Sequence, residues 1–229
     1  MFLIIIKKDF VSEDTESYCA KGHKLSSGTA YYMKSEDGTI YFGGKQCAEI
    51  HGTNDLKDVP DLTKSLVSLG TGTQTSGGNG SGVSEDKKKS LAISYLLLRE
   101  EILNEFTLNN KHLSHKNLNE YYSQYISHGD LNEKQISHIL NLERYASEKI
   151  DIRLSIRNLS TCHAYKFILD RTEAHLSKSE KENGIKFVQS LRKYLLSHCA
   201  LQPKQVIGLS NWIQYLPKDL RDAKLKNFD

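Results

Sequence analysis

The tract Leu69-Gly-Thr-Gly-Thr-Gln-Thr-Ser-Gly-Gly-Asn-Gly-Ser-Gly-Val83 divides the chain into two segments of different character. Residues this small and polar bury too little to offset the entropy of ordering them, so the tract reads as a flexible linker within residues 56–84. A phosphate-cradling loop is excluded, because no Gly-Lys-Ser/Thr follows and no clear strand precedes it. Before the tract, residues 29–44 carry β-prone aromatic runs on both sides of Asp37-Gly38, a hairpin signature. After it Gly and Pro nearly vanish, and apolar residues recur at helical spacing, as in Leu91, Tyr95, Leu98, Ile102 and Phe106. The expected fold class is therefore α+β, with a small β-rich domain over residues 1–55 and an all-α domain over 85–229. Helices are expected near 85–108, 115–128, 132–148, 150–177, 181–198 and 203–215, with a short tail helix after Pro217.

The apolar run at residues 1–6 has no basic segment before it and meets Lys7 and Lys8 at once. It is too short for a signal segment or a membrane span, so it predicts a buried strand over 2–6 in a cytoplasmic protein. A charged fraction of 26% and a mean hydropathy of -0.52 also argue against a membrane protein. Residues 1–83 hold 8 Lys/Arg against 10 Asp/Glu, whereas 84–229 hold 23 against 18. A surplus of that size permits a nucleic-acid partner without requiring one.

The helical segment contains an internal repeat at an offset of 70, with copies at 118–145 and 188–215. Ser127-His128 and Leu131-x-x-Lys134-Gln135-Ile136 align without a gap on Ser197-His198 and Leu201-x-x-Lys204-Gln205-Val206. The pattern reads as two helical hairpins. Asn132 with Gln135 makes a capping box and Leu131 with Ile136 a hydrophobic staple, while Pro203 takes the first helical position in the second copy. Capping leaves Lys134 and Lys204 unexplained. A cation in a first turn opposes the helix dipole unless an anion is near, which nominates both for phosphate contact.

Chemistry concentrates in the β-rich segment. Cys19-Ala-Lys-Gly-His23 and Cys47-Ala-Glu-Ile-His51 are two Cys-x3-His pairs flanking the hairpin. Two Cys and two His complete a tetrahedral zinc set, and such a closed set is structural rather than catalytic. Cys47 and His51, four residues apart, share one face of a short helix beginning near Lys45. A domain of about 55 residues gains from a metal staple because its core is small. One structural Zn2+ held by Cys19, His23, Cys47 and His51 is expected.

The order of knuckle, hairpin, aromatic-Gly and Cys at a helix start resembles the treble-clef zinc fingers. Tyr41-Phe-Gly-Gly-Lys-Gln-Cys47-Ala is similar to small treble clefs of phage and mobile-element proteins, over residues 15–52 only. The departure is Cys19-x3-His23 where most such fingers have Cys-x2-Cys. The hairpins also resemble modules of phage and bacterial proteins of DNA metabolism. These resemblances imply a nucleic-acid partner and name no activity.

Cys162-His163 and His198-Cys199 read as packing, since adjacent residues on a helix face different ways, and no nucleophile is paired with a base. Glu100, Glu101 and Glu105 read as an ordinary solvated face. Lys149, Arg153 and Arg157, spaced by four, are expected to form one basic stripe on the helix that joins the two hairpins. Such a stripe is either a phosphate-tracking surface or a solvated face partly neutralised by Glu148 and Asp151. The expected function is a non-enzymatic nucleic-acid-binding accessory protein that uses Lys149, Arg153, Arg157, Lys134 and Lys204. The alternative is an adaptor or inhibitor that binds a host or phage protein; neither reading involves a membrane or a small-molecule substrate.

Overall fold

Four successive apolar residues, Leu3 to Ile6, can form a strand only if both of its faces are covered, because alternate side chains point in opposite directions. The computed structural model meets that condition. It describes residues 2–20, 22–65, 67–68, 85–105 and 115–228. The whole Gly/Ser/Thr tract, residues 69–83, and the expected helical residues 106–108 lie outside these. The fold is mixed α+β, a small antiparallel sheet with several helices.

Two compact units emerge: residues 1–64, 84–97 and 114–142 form one, and 65–83, 98–113 and 143–229 the other. The first unit thus draws on chain from both sides of the 56–84 segment, whereas the sequence alone assigns those sides to separate domains. Its sheet has the order β1-β2-β3, with β1 at Ile4–Phe10, β2 at Thr29–Lys34 and β3 at Ile40–Gly43. The three strands pair antiparallel, and a register shift interrupts β1 between Ile5 and Lys7. The β2–β3 turn is the expected one: Gly38 has a φ of +90°, and Asp37 Oδ1 accepts the Thr39 N–H at 2.9 Å. The free edge of β1 is closed by the segment after His51. Asn54 accepts the Ile5 N–H and donates to the Ile5 carbonyl, both at 2.9 Å, and Lys8 N donates to Pro60 O.

Leu3, Ile5 and Met33 pack with Cys47, Ala48 and Val59 on one side of the sheet. The other side meets a helix from later in the chain. Within this unit lie the start of α2 (Glu85–Glu105), α3 (Lys116–His128) and most of α4 (Glu133–Tyr145). Tyr125 of α3 is fully buried and its hydroxyl donates to the Ile6 carbonyl at 2.7 Å. Burial pushes this phenol well above its usual pKa, so it stays a protonated donor. Gly129, at the C-terminus of α3, has a φ of +73°, and a Cβ there would stand 2.8 Å from Ile4 Cγ2. Glycine is required there twice over, by conformation and by space.

In the second unit α5 (Ile156–Lys178) is the central element, with Leu159, Cys162, Tyr165, Ile168, Leu169 and Leu176 buried along it. A three-residue turn leads to α6 (Glu182–His198), followed by α7 (Pro203–Ile213) and α8 (Lys218–Arg221). Arg192 of α6 joins Asp170 at 2.6 Å and Glu173 at 2.5 Å on α5. Short strands β4 (Val67–Ser68) and β5 (Ala223–Lys224) pair antiparallel. Among the described residues no helix is long and apolar enough to cross a membrane.

Replacing Tyr125 by Phe leaves the Ile6 carbonyl buried without its partner, which costs about 1–2 kcal/mol. Equilibrium urea unfolding is expected to show a loss of that size at unchanged m-value. A change within error would mean that the hydroxyl contributes shape alone.

Candidate metal centre

The Cys19 segment is a tight loop closed by backbone bonds. Ser17 N donates to His23 O and His23 N to Ala20 O, both at 2.9 Å, and Leu25 N reaches Thr15 O at 2.8 Å. Tyr18 N donates to Phe42 O at 2.8 Å, which places this loop beside β3 and the helix after it. That helix, α1, spans Lys45–His51 and so carries Cys47 and His51 on one face, as their spacing requires. Gly43 makes the approach possible. A Cβ at this position would lie 2.8 Å from Cys47 Cβ, Cys47 Sγ and Met33 Cε. The aromatic-Gly step before the helix is therefore a clearance for the cysteine.

Cys19, Cys47 and His51 converge, with one ligand atom from each within 4.8 Å of the others. Two sulfurs and an imidazole nitrogen suit zinc and other borderline or soft cations. The Cys19 and Cys47 sulfurs stand at disulfide distance, with Cα atoms 5.8 Å apart. Cys19 is exposed, Cys47 buried and His51 half-buried. The His51 ring meets Tyr18 edge-on at 5.1 Å, and Tyr18 in turn packs on Tyr41 at 4.7 Å. His23 is exposed and stands outside the converging set. The Cys19 spacing predicts a ligand at His23, whereas backbone bonds from Ser17 N to His23 O and from His23 N to Ala20 O close a turn here, not a helix.

The basic positions have different fates. Lys149, Arg153 and Arg157 do not share one helix, which corrects the expected stripe. Residues Ala146–Ile150 form a π turn, Asp151 is extended at φ -160°, Ile152–Leu154 form a 3-10 turn, and α5 begins at Ile156. Two N-caps win over continued helix: Asp151 accepts Arg153 N, and Ser155 Oγ accepts Asn158 N. The capping residues were in plain view in the sequence, but the spacing by four masked them. Arg153 is also held by Asp151, with Nε at 2.9 Å from both carboxylate oxygens and Nη2 at 2.6 Å from Oδ2, and this hydrogen bonding raises its pKa further. Lys149 and Arg157 are exposed.

Lys134 and Lys204 are both exposed in first turns. Lys134 lines a cleft with Glu85, Asp86, Lys89 and Glu133, so acidic residues share its surroundings. At Lys204 the preceding residue is Pro203 instead of a glutamate. Cys162 and Cys199 are buried, as packing predicts, and Cys162 Sγ donates to Cys199 O at 3.1 Å. Burial raises the Cys162 thiol pKa well above its usual value. The rings of His198 and Tyr194 stack at 3.9 Å.

Compared with family models, curated proteins and solved structures, the chain matches none.

A Gly43→Ala substitution forces Cys47 or Met33 to move and is expected to destabilise the first unit by about 1–3 kcal/mol. Chemical denaturation gives that figure. The same variant is expected to take up a thiophilic metal more weakly than the parent, read by competition with a chromogenic chelator; equal uptake would show that Cys47 does not need the clearance.

Proposed function

We propose that the protein is a non-enzymatic nucleic-acid-binding accessory protein whose first unit is held by one structural zinc in a treble-clef-like finger. Cys19, Cys47 and His51 supply three donors, and His23 becomes the fourth through a shift of the exposed turn around Gly22. Gly22 already has a φ of +79°, which gives this turn conformational room that a chiral residue lacks. The convergence of Cys19, Cys47 and His51 carries the metal part of the reading.

The two helical hairpins are read as copies of one module. Both have a left-handed residue after the first helix, Gly129 at φ 73° and Cys199 at φ 52°. In both, a histidine Nδ1 lies near the carbonyl four residues back, at 3.1 Å for His128 and 3.0 Å for His198. Gln135 Oε1 accepts Asn132 N at 2.9 Å, and Gln205 Oε1 accepts Gln202 N at 2.8 Å. Burial follows the same order from Leu131 to Ala146 as from Leu201 to Leu216, apart from Leu140 against Ser210.

Charge supports the second copy and its surroundings as the nucleic-acid surface. Residues 143–229 hold 16 Lys/Arg against 10 Asp/Glu, whereas 1–142 hold 15 against 18. Lys149, Arg157, Lys193 and Lys204 are exposed in that basic part. Phosphate neutralisation by such groups gives affinity that falls steeply with salt. The adaptor reading draws on a different observation: Tyr145, Ile150 and Ile152 are 58%, 58% and 56% exposed around the break before α5.

Elemental analysis of reduced protein is expected to find one zinc per chain. Fluorescence anisotropy with labelled single- and double-stranded DNA and RNA is expected to show binding that weakens as salt rises. Lys204→Glu and Arg157→Glu should each weaken it on every sequence and lower the salt slope by about one. Lys134→Glu should change little. Absence of binding to any nucleic acid at low salt would favour the adaptor, and Ile150→Asp with Ile152→Asp would then abolish partner capture.

A further inference from the structure

We propose that Cys19 and Cys47 are a peroxide-reactive thiol pair, an oxidation site at which disulfide formation displaces the metal while leaving the finger folded. The inference rests on the zinc reading above and concerns the state of the same two sulfurs. Three observations carry it. Cys19 is an exposed residue and Cys47 a buried one, so Cys19 is the member of the pair that faces an oxidant from solvent. Their Cα atoms are 5.8 Å apart, a span that a disulfide bridges without backbone movement. Gly43 leaves the space that the Cys47 side chain occupies, since a Cβ there would lie 2.8 Å from Cys47 Cβ and Sγ.

The chemistry balances in two steps. The Cys19 thiolate attacks a peroxide oxygen and the O–O bond breaks. With hydrogen peroxide and one proton this gives Cys19 sulfenic acid and water, and sulfur loses two electrons as oxygen gains two. The Cys47 thiolate then attacks the Cys19 sulfur and the S–O bond breaks; one further proton carries the oxygen away as a second water and leaves the disulfide. Both thiolate donors are consumed. Only imidazole ligands then remain at the site, too few to retain zinc against solvent.

A finger that loses its metal ordinarily unfolds. Here the covalent bond joins the same two chain points that the metal joined, the knuckle and α1. The knuckle loop and its attachment to β3 also have backbone bonds that depend on neither, Ser17 N to His23 O and Tyr18 N to Phe42 O. Oxidation therefore exchanges one staple for another, and what changes is the metal content and the charge of the exposed corner at Cys19.

The test uses the full chain, reduced and loaded with one equivalent of zinc, and titrates it with hydrogen peroxide. A chromogenic chelator reads released zinc, non-reducing peptide mapping by mass spectrometry reads the bond, and circular dichroism reads the fold. The expected result is one zinc released per Cys19–Cys47 disulfide, an unchanged spectrum, and full zinc uptake again after dithiothreitol. Failure of the reduced chain to take up zinc would overturn the metal reading and this proposal with it. Tight zinc binding followed by sulfinic acid at Cys19, a bond elsewhere, or loss of the spectrum on release would overturn the oxidation site alone and leave the metal reading standing.

Discussion

Strand β1 has no solvent face, and most of the first unit follows from that. Ile5 and Leu3 look toward Met33, Cys47 and Ala48, while the carbonyl of Ile6 is bound by Tyr125 of α3. Cover on one side comes from the segment that carries Cys47 and Ala48, and on the other from α3, far along the chain. Even the edge of the strand is occupied, by Asn54 acting as a surrogate ladder partner. With both faces and an edge filled, the strand is fixed in register, and α1 is fixed beside it through the bond from Leu3 N to His51 O at 2.9 Å.

The converging ligands inherit their precision from this packing. Cys47 and Ala48 are core residues as well as members of the site's helix, at 4% and 1% exposure. One side chain thus belongs to both the hydrophobic cluster and the donor set, and the helix cannot rotate to satisfy one without the other. Cys19 is itself exposed and is placed by its loop's backbone bonds, by Tyr18 packed against Tyr41 and His51, and by the approach of its sulfur to that of Cys47.

Much of this was legible in the residues. Asp37-Gly38 marked the hairpin, the 47–51 spacing marked a shared helix face, and Pro217 preceded the tail helix at Lys218–Arg221. The local signals sufficed because each element is decided by turn or cap chemistry within a few residues. What was not legible was longer in range. Nothing in the tyrosine at 125 indicates that its hydroxyl reaches a carbonyl at residue 6, because helical periodicity marks a position as buried without naming what buries it. The stripe of Lys149, Arg153 and Arg157 failed for the opposite reason, since a regular spacing outweighed two capping residues, Asp151 and Ser155, that end and restart the helix. His23 shows that an identical spacing in sequence does not produce identical geometry: Cys47 and His51 ride a helix, while Cys19 and His23 flank a turn.

The break before α5 looks like a hinge on paper, but Asn158 makes it a corner. Its side-chain amide donates to Arg153 O at 3.0 Å and to Cys199 O at 2.9 Å. Asn158 is buried, and its bond to Cys199 O is buried with it, while the bond to Arg153 O is part-buried. The 3-10 turn before α5 and the end of α6 are thereby latched to the same side chain. In the language of native-state hydrogen exchange, these two distant stretches belong to one cooperative opening unit: their amides should exchange together and late, and the corner will hold its angle on the timescale on which surface loops fluctuate.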